Sequence, residues 1–245
     1  MQGWVISLGW PFIWSRRRET IRLNDQDRGH SMPQRDLDRF IAGFRRFQRN
    51  YFCHDHNLFE SLREGQAPRA LVIACSDSRV DPAHLTDCNP GDLFVIRNVA
   101  NLVPPYGPDA NFHGVSAAIE YAVTCLDVEH IIVLGHACCG GIHSLMQQAE
   151  GQGEFIGPWM GIARRARMQV LESLPHATPE VQERACEQAA LLVSLENLLT
   201  FPWIAKRVEE GTLALHGWFF DMEKGKLLRY DGDEDSFVEL VTACA

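Results

Sequence analysis

The sequence has no run of about 20 apolar residues, the length that a helix needs to cross a lipid bilayer. The apolar stretch at residues 4–14 is interrupted by Gly9 and Pro11. Three arginines at positions 16–18 follow this stretch, whereas a secretory signal carries its positive charge in front of the apolar part. The sequence therefore predicts no transmembrane segment and no secretory signal.

The sequence also lacks an excess of basic residues. Its formal net charge is -9 and its isoelectric point is near 5.5. Nucleic-acid-binding domains normally carry a basic stripe or face that contacts the phosphate backbone. We therefore expect no nucleic-acid partner, whereas a small-molecule substrate is compatible with this charge.

Dense, regular cysteine spacing of the kind found in small secreted scaffolds is absent as well. The eight cysteines are spread along the chain, at positions 53, 75, 88, 125, 138, 139, 186 and 244. This distribution favours a reducing compartment, and we expect the protein to be cytoplasmic. Cys88, Cys125 and Cys186 are predicted to be small buried apolar residues.

The chain shows no internal repeat, and its 245 residues with 46% hydrophobic content suffice for one sizeable core. We predict a single domain over residues 32–245, for which Met32 would make a suitable alternative start. Residues 1–31 are predicted to be a disordered or dispensable leader. A second interpretation makes this leader a peripheral anchor, with tryptophans at the lipid interface and arginines on the headgroups.

Helix-like and strand-like segments then alternate along the chain. Apolar residues recur at helical spacing from position 36 onward, and a second short helix is predicted to end near Gly65. Short apolar runs are typical of buried strands, and they occur at residues 70–74, 93–96, 131–134, 213–220 and 227–230. The alternation predicts an α/β fold with a mostly parallel central sheet flanked by helices and a C-terminal antiparallel hairpin.

Two polar motifs directly follow two of the predicted strands. The sequence CSDSR stands at residues 75–79, and HACC stands at residues 136–139. Because the carboxyl ends of parallel strands meet at one edge of a sheet, these motifs can converge on one site. Thiolates, imidazole and carboxylate are all good zinc ligands, and a carboxylate that can leave the metal would open a coordination position. The pair of motifs therefore predicts a catalytic zinc site and not a purely structural one.

The C-x-D-x-R and H-x-x-C motifs resemble those of the β-class carbonic anhydrases. The similarity to the plant-type branch of that family runs from about Gln66 to the C-terminal hairpin and includes RNVAN at 97–101, VPPY at 103–106, AAIEYA at 117–122 and NLLT at 197–200. Family members gated by bicarbonate carry tryptophan three residues before the first zinc cysteine, where this chain has Val72. The resemblance thus implies ungated, plant-type behaviour.

The resemblance implies a zinc-dependent enzyme that converts carbon dioxide reversibly to bicarbonate and a proton through attack by zinc hydroxide. Cys75, His136 and Cys139 would bind one Zn²⁺ per protomer, and Asp77 and Arg79 would form a catalytic dyad beside it. In this dyad, Asp77 accepts a hydrogen bond from the hydroxide, and Arg79 holds Asp77 away from the metal.

The resemblance also implies a small substrate pocket. Its walls would be Gln66, Phe94, Val99 and Tyr121. The backbone amides of Gly140 and Gly141, at the start of a predicted helix, suit a bicarbonate oxygen that gains charge in the transition state. Because the family shares its active cleft across a dimer, we expect a homodimer or a larger homo-oligomer in which residues 36–65 pack on the partner.

Two other functions stay open. Relatives of the family act on carbon disulfide or carbonyl sulfide, and a fold with its metal does not fix the substrate. A non-enzymatic zinc module with a closed metal is the alternative from a different class, and the Asp77–Arg79 pair argues against it.

Next to the ligands, the H-x-x-C spacing selects Cys139, and Cys138 is predicted to pack into the strand–helix junction.

Overall fold

The computed structural model describes residues 33–53, 57–109, 111–147 and 153–241. The chain divides into two compact units, Met1–Glu64 and Gly65–Ala245. The predictions for residues 1–31, as a disordered leader or as a peripheral anchor, lie outside the described residues.

The first unit contains α1 (Pro33–Gln48), a π-helical turn (Arg49–Cys53) and α2 (Asn57–Leu62). Aromatic side chains from all three segments contact one another, with ring centroids 4.8 to 6.1 Å apart. Four other apolar residues on the predicted apolar face of α1 are exposed. They are Leu37, Phe40, Ile41 and Phe44. An apolar helix face of this kind normally packs against another surface.

The second unit is built on one six-stranded sheet. Its strands are β1 (Ala70–Cys75), β2 (Leu93–Asn98), β3 (His130–His136), β4 (Ala214–Asp221), β5 (Lys226–Asp231) and β6 (Ser236–Val241). The strand order is β2-β1-β3-β4-β5-β6. The first four strands are mutually parallel, and β5 and β6 continue antiparallel. The predicted fold class is confirmed, and β6 extends the predicted hairpin by a strand that the sequence pattern did not reveal.

Seven helices of the described residues belong to this unit. They are α3 (Pro82–Thr86), α4 (Gly114–Glu120), α5 (Gly140–Met146), α6 (Ile156–Met160), α7 (Arg164–Ser173), α8 (Pro179–Leu198) and α9 (Pro202–Glu209). A π-helical turn, Tyr121–Cys125, ends α4, and 3-10 turns stand at Val99–Asn101 and Gly161–Ala163. In the part of the chain that the structure describes, no helix is long and apolar enough to span a membrane.

The core lies on both faces of the parallel strands. Leu71, Ile73, Ile131 and Val133 point to one face and form a fully buried cluster with residues of α4, α8 and α9. Val72 and Ala74 point to the other face, as the two-residue period of a strand requires. Strands that are buried on both faces fix the register of β1 against β3, and this register brings their carboxyl ends together.

Candidate metal centre and active site

Three predicted ligands meet at the carboxyl ends of the two central strands. Cys75 is the last residue of β1, His136 is the last residue of β3, and Cys139 is the N-cap of α5. Their ligand atoms all lie within 4.8 Å of one another, and all three residues are buried. The parallel pairing of β1 with β3 therefore brings together residues that are far apart in the chain.

His136 is oriented with one ring nitrogen free for a metal. Its Nδ1 lies 2.8 Å from the carbonyl oxygen of Ala137. Since a carbonyl only accepts hydrogen bonds, Nδ1 carries the proton and Nε2 carries the lone pair. Nε2 is buried and has no hydrogen-bond partner in the structure. An orphaned nitrogen of this kind is costly to bury, and a metal ion held with the two cysteine sulfurs would satisfy it.

The two cysteine sulfurs are surrounded by backbone N–H donors. Cys75 Sγ accepts hydrogen bonds from the N–H groups of Asp77 and Ala100, both at 3.4 Å. The backbone N–H groups of Ile142 and Gly141, in the first turn of α5, act to lower the pKa of Cys139, against the larger opposing effects of Cys75 and burial. Donors placed in this way stabilise thiolates, the form in which cysteine binds metals.

Without a metal, the two cysteines compete for one proton. A hydrogen bond from Cys139 lowers the pKa of Cys75, against the effect of burial. The same contact, together with burial, raises the pKa of Cys139. A divalent cation in the place of this shared proton would allow both thiols to ionise. The donor set therefore fits Zn²⁺, with two sulfurs and one imidazole nitrogen as protein ligands.

Asp77 and Arg79 form a close ion pair beside the ligands. Arg79 Nε donates to Asp77 Oδ1 at 2.9 Å, and Arg79 Nη2 donates to Asp77 Oδ2 at 2.7 Å. The backbone N–H of Arg79 also donates to Oδ1 at 2.9 Å. These bonds hold the pKa of Asp77 well below its usual range. Asp77 is thus an ionised acceptor whose position is set by Arg79.

Arg79 also connects the two halves of the site. Its Nη2 donates to the carbonyl oxygen of Cys138 at 2.9 Å, so one guanidinium joins the loop after β1 to the loop after β3. Arg97, on β2, supports the first loop from the other side. It donates to the carbonyl oxygens of Cys75 and Asp77 at 3.0 and 2.7 Å.

Three of the six non-glycine residues with positive φ angles in the described part of the chain lie at this edge of the sheet. Ala100, Asn101 and Cys138 have positive φ angles of 63°, 48° and 57°. Such angles are uncommon for residues other than glycine, and they persist where the surroundings determine the backbone. At Ala100, this conformation goes with the hydrogen bond from its N–H to Cys75 Sγ. The side chain of Asn98 closes the loop by pairing with both backbone groups of Leu102, at 2.8 and 2.9 Å.

A buried carboxylate holds the backbone of Cys139, the third predicted ligand. Glu187 Oε1, on α8, accepts a hydrogen bond from the N–H of Cys139 at 2.8 Å. Burial raises the pKa of Glu187 to about 7, and the Cys139 N–H and Arg184 oppose this rise. Glu187 and Arg97 were not among the predicted site residues. The signals that point to them are a glutamate within an apolar helix stripe and an arginine near the carboxyl end of β2, an edge strand of the sheet.

Two of the predicted pocket residues lie close to the ligands. Gly140 opens α5 directly after Cys139. Val99 Cγ1 would lie 2.9 Å from a Cβ placed on Gly141, so the loop after β2 packs tightly against the start of α5. The carbonyl oxygen of Val99 accepts a hydrogen bond from Trp159 Nε1 at 2.8 Å. Val99 is nevertheless exposed, so it can form part of a cleft wall.

The structure places the other three predicted pocket residues elsewhere. Phe94 pairs with Leu71 in the sheet, four residues before Cys75 on β1, or about 13 Å at roughly 3.3 Å per residue. Tyr121 lies beside Phe94, with ring centroids 5.9 Å apart. Gln66 is exposed and precedes the amino end of β1. Phe94 and Tyr121 are therefore neighbours of each other, and the strand separates Phe94 from Cys75 of the same chain.

Three of the predictions for single cysteines are wrong. Cys125 is exposed and Cys88 is half-buried, and Cys186 alone of the three predicted buried cysteines is buried. Cys138 is exposed as well, because its left-handed backbone turns it away from the junction where Cys139 is buried. Adjacent residues with such different backbone angles point to different sides.

Comparison with known proteins gives one consistent family. The profile of the carbonic anhydrase family matches residues 70–227. A carbonic anhydrase of Pseudomonas aeruginosa is 43% identical over 201 residues, which are 82% of this chain and 90% of the relative. Beta carbonic anhydrase 3 of Arabidopsis thaliana is 41% identical over 194 residues, which are 77% of this chain and 74% of the relative.

Solved structures show the same similarity. The β-carbonic anhydrase CcaA superposes with a TM-score of 0.79 and 40% identity, over 85% of this chain and 93% of that protein. One of two tetrameric β-carbonic anhydrases from Sordaria macrospora superposes with a TM-score of 0.66 and 30% identity, over 86% of this chain and 97% of that protein.

Proposed function

We infer that this chain, which belongs to the β-carbonic anhydrase family and is a carbonate dehydratase, uses zinc to convert carbon dioxide reversibly to bicarbonate and a proton. One Zn²⁺ per protomer would be held by Cys75, His136 and Cys139. The observation that carries this proposal is the buried, partnerless Nε2 of His136, which lies with two cysteine sulfurs beside an ionised carboxylate.

Zinc bound there would supply the Lewis acidity that makes hydroxide available near neutral pH. The two thiolates offset the charge of a divalent ion, so we expect activity to rise from neutral toward alkaline pH. Asp77 would act as a hydrogen-bond acceptor for the hydroxide and would orient it toward the carbon of carbon dioxide. Arg79 holds both oxygens of Asp77 and thereby keeps the carboxylate from becoming a fourth ligand.

A complete substrate pocket requires a second protomer in this proposal. Phe94 and Tyr121 are separated from the ligands of their own chain, yet the family resemblance assigns both to the pocket wall. A homodimer resolves this conflict if Gln66, Phe94 and Tyr121 of one protomer line the cleft of the other. Val99 and the amide of Gly140 would then be contributed by the protomer that holds the metal.

The exposed apolar face of α1 supports the same arrangement. Phe40 and Phe44 are each 62% exposed within one chain, which is unfavourable for side chains of this size. We propose that residues 36–65 cover the neighbouring protomer, as part of a single catalytic domain over residues 32–245. The Sordaria relatives are tetramers, so an assembly larger than a dimer is compatible with the family. Free cysteines throughout the described residues support a cytoplasmic location.

Stopped-flow hydration of carbon dioxide between pH 6.5 and 9 tests the activity, alongside the zinc content of each sample. We expect one zinc per protomer and activity that rises with pH in the wild-type protein. Activity should be lost together with zinc in Cys75→Ser. It should be lost without loss of zinc in Asp77→Asn.

Inactive, well-folded and zinc-loaded wild-type protein would contradict the proposed reaction. Assays with carbon disulfide and carbonyl sulfide would then decide whether the site hydrolyses sulfur substrates. If Asp77→Asn retained zinc and changed no measurable activity on any substrate, the non-enzymatic zinc module would be favoured. Plant-type behaviour without bicarbonate gating stays a prediction, which the cooperativity of bicarbonate inhibition would test.

A further inference from the structure

Glu187 is a buried acidic residue in an apolar part of α8. It is 6% exposed, and its helix neighbours Cys186, Ala190 and Leu191 are all buried. A carboxylate is costly to bury unless hydrogen bonds or charges compensate it. A residue that served only to fill space here would be apolar, so the position of Glu187 calls for a polar partner.

The main polar partner is the backbone of a predicted metal ligand. Glu187 Oε1 accepts the N–H of Cys139 at 2.8 Å. Arg184 Nε lies 3.4 Å from the second oxygen, Oε2. Glu187 therefore connects the helix that covers the site with the loop that carries Cys139.

Arg184 is itself fixed by three further contacts. It forms ion pairs with Asp221 at 3.2 Å and with Glu223 at 2.7 Å, and it lies over the ring of Phe219 at 5.4 Å from the centroid. Asp221 is the buried last residue of β4. Arg184 thus links α8 to the end of β4 beside Glu187, whose Oε2 is buried and has no hydrogen-bond partner in the described structure.

The loop after β3 is held at three consecutive residues. The N–H of Ala137 donates to the carbonyl oxygen of Phe220 at 2.9 Å, and the carbonyl oxygen of Cys138 accepts from Arg79 at 2.9 Å. The third bond joins Cys139 to Glu187. Of these three bonds, the one with Glu187 acts on the ligand residue itself, directly after the strained Cys138.

We propose that Glu187 is a positioning residue of the metal centre, which holds the backbone of Cys139 so that its sulfur meets the ion together with Cys75 and His136. The inference rests on the proposed function in so far as that function places a metal at these three residues. Tetrahedral sites depend on such outer contacts, because a ligand whose backbone can shift binds the metal less well.

Substitution of Glu187 by methionine tests this role. Methionine fills a similar volume and suits a helix, but it leaves the Cys139 N–H without an acceptor. Zinc affinity, measured by competition with a chelator, should fall about 10- to 100-fold. In cobalt-substituted protein, the thiolate-to-cobalt absorption should shift or weaken, because the Cys139 sulfur is no longer held in place.

Two controls separate positioning from a general loss of stability. Glu187→Gln keeps an oxygen that can accept the Cys139 N–H, so it should recover part of the lost affinity and of the cobalt spectrum. Ile204→Ala removes a fully buried side chain from the core cluster of α9. It should lower the melting temperature while affinity and spectrum stay as in the wild type.

The proposal would be overturned if Glu187→Met bound zinc like the wild type and kept its cobalt spectrum. It would also be overturned if Ile204→Ala lost as much affinity at an equal loss of stability. Should Glu187→Met fail to fold, Glu187→Asp takes its place. Its shorter side chain withdraws the carboxylate from Cys139, and wild-type affinity in that variant would refute the role. Wild-type protein that binds zinc tightly but does not hydrate carbon dioxide would refute the proposed reaction and leave this role intact.

Discussion

The two ends of the parallel sheet differ in whether their polar groups are buried or exposed. At the carboxyl end, the buried polar residues include Asn101, His136, Glu187 and Asp221, and three residues nearby have left-handed backbone angles. At the amino end, Arg69 pairs with Glu129 and His130 lies beside His216, all at the surface or half-buried. Between the two ends, the middle residues of β1 and β3 are apolar.

This difference indicates at which end of the sheet a substitution should have the larger effect. A buried polar group must keep its partner, since an orphaned partner costs about 1–3 kcal/mol. An exposed ion pair can be broken for about 0–1 kcal/mol. The same chemical substitution should therefore have a large effect at the carboxyl end and a small one at the amino end, and paired variants test this expectation.

The largest difference is expected between two serine substitutions. Cys139→Ser replaces the buried sulfur of a proposed zinc ligand by a weaker donor, and we expect loss of zinc and of carbon dioxide hydration. Cys88→Ser changes a half-buried cysteine in the loop before the amino end of β2, and zinc content and activity should stay close to the wild type. Metal analysis and stopped-flow assays measure both. Equal losses in the two variants would contradict the comparison.

A smaller but still large difference is expected between two asparagine substitutions. Asp77→Asn removes the ionised acceptor from the dyad, and kcat/KM should fall by about 10²- to 10⁴-fold while zinc is retained. Asp127→Asn breaks the ion pair between exposed Asp127 and half-buried Arg207, and asparagine tolerates the left-handed angle at that position. It should change kcat/KM little. A loss of activity in Asp127→Asn similar to that in Asp77→Asn would show that both ends of the sheet support catalysis.

The sequence predicted one part of the carboxyl end well and missed another. The two motifs and the strands before them could be predicted, because apolar runs and ligand types are local properties of the chain. The roles of Arg97 and Glu187 depend on contacts between elements that are distant in sequence, 20 and 48 residues from their partners. The exposure of Cys138 depends on a backbone angle that cysteine rarely adopts, so local pattern could not predict it.

The third comparison concerns packing and uses two glycine-to-alanine substitutions. A Cβ at Gly141 would lie 2.9 Å from Val99 Cγ1 and 3.1 Å from Ala100 Cβ, so Gly141→Ala should lower the free energy of unfolding by about 1–3 kcal/mol. A Cβ at Gly114 would meet nothing within 4 Å. Gly114→Ala, at the start of α4, should leave stability unchanged or raise it by up to about 1 kcal/mol. Urea unfolding measures both, and equal destabilisation would contradict the packing argument.

The smallest effect is expected at the amino end, in the pH dependence of stability. Burial lowers the pKa of His216, and His130, whose Nδ1 lies 3.2 Å from His216 Nε2, lowers it further. The unfolded chain therefore takes up a proton at this position below about pH 6.5, before the folded chain does. The contribution of His216 to the free energy of unfolding is therefore greatest above that pH. It decreases as the pH falls through the lower pKa that His216 has in the folded state. Glutamine at position 216 cannot titrate, so His216→Gln should have a flatter melting temperature between pH 7.5 and 5 than the wild type. Parallel curves for the two proteins would show that the histidine pair contributes nothing to this dependence.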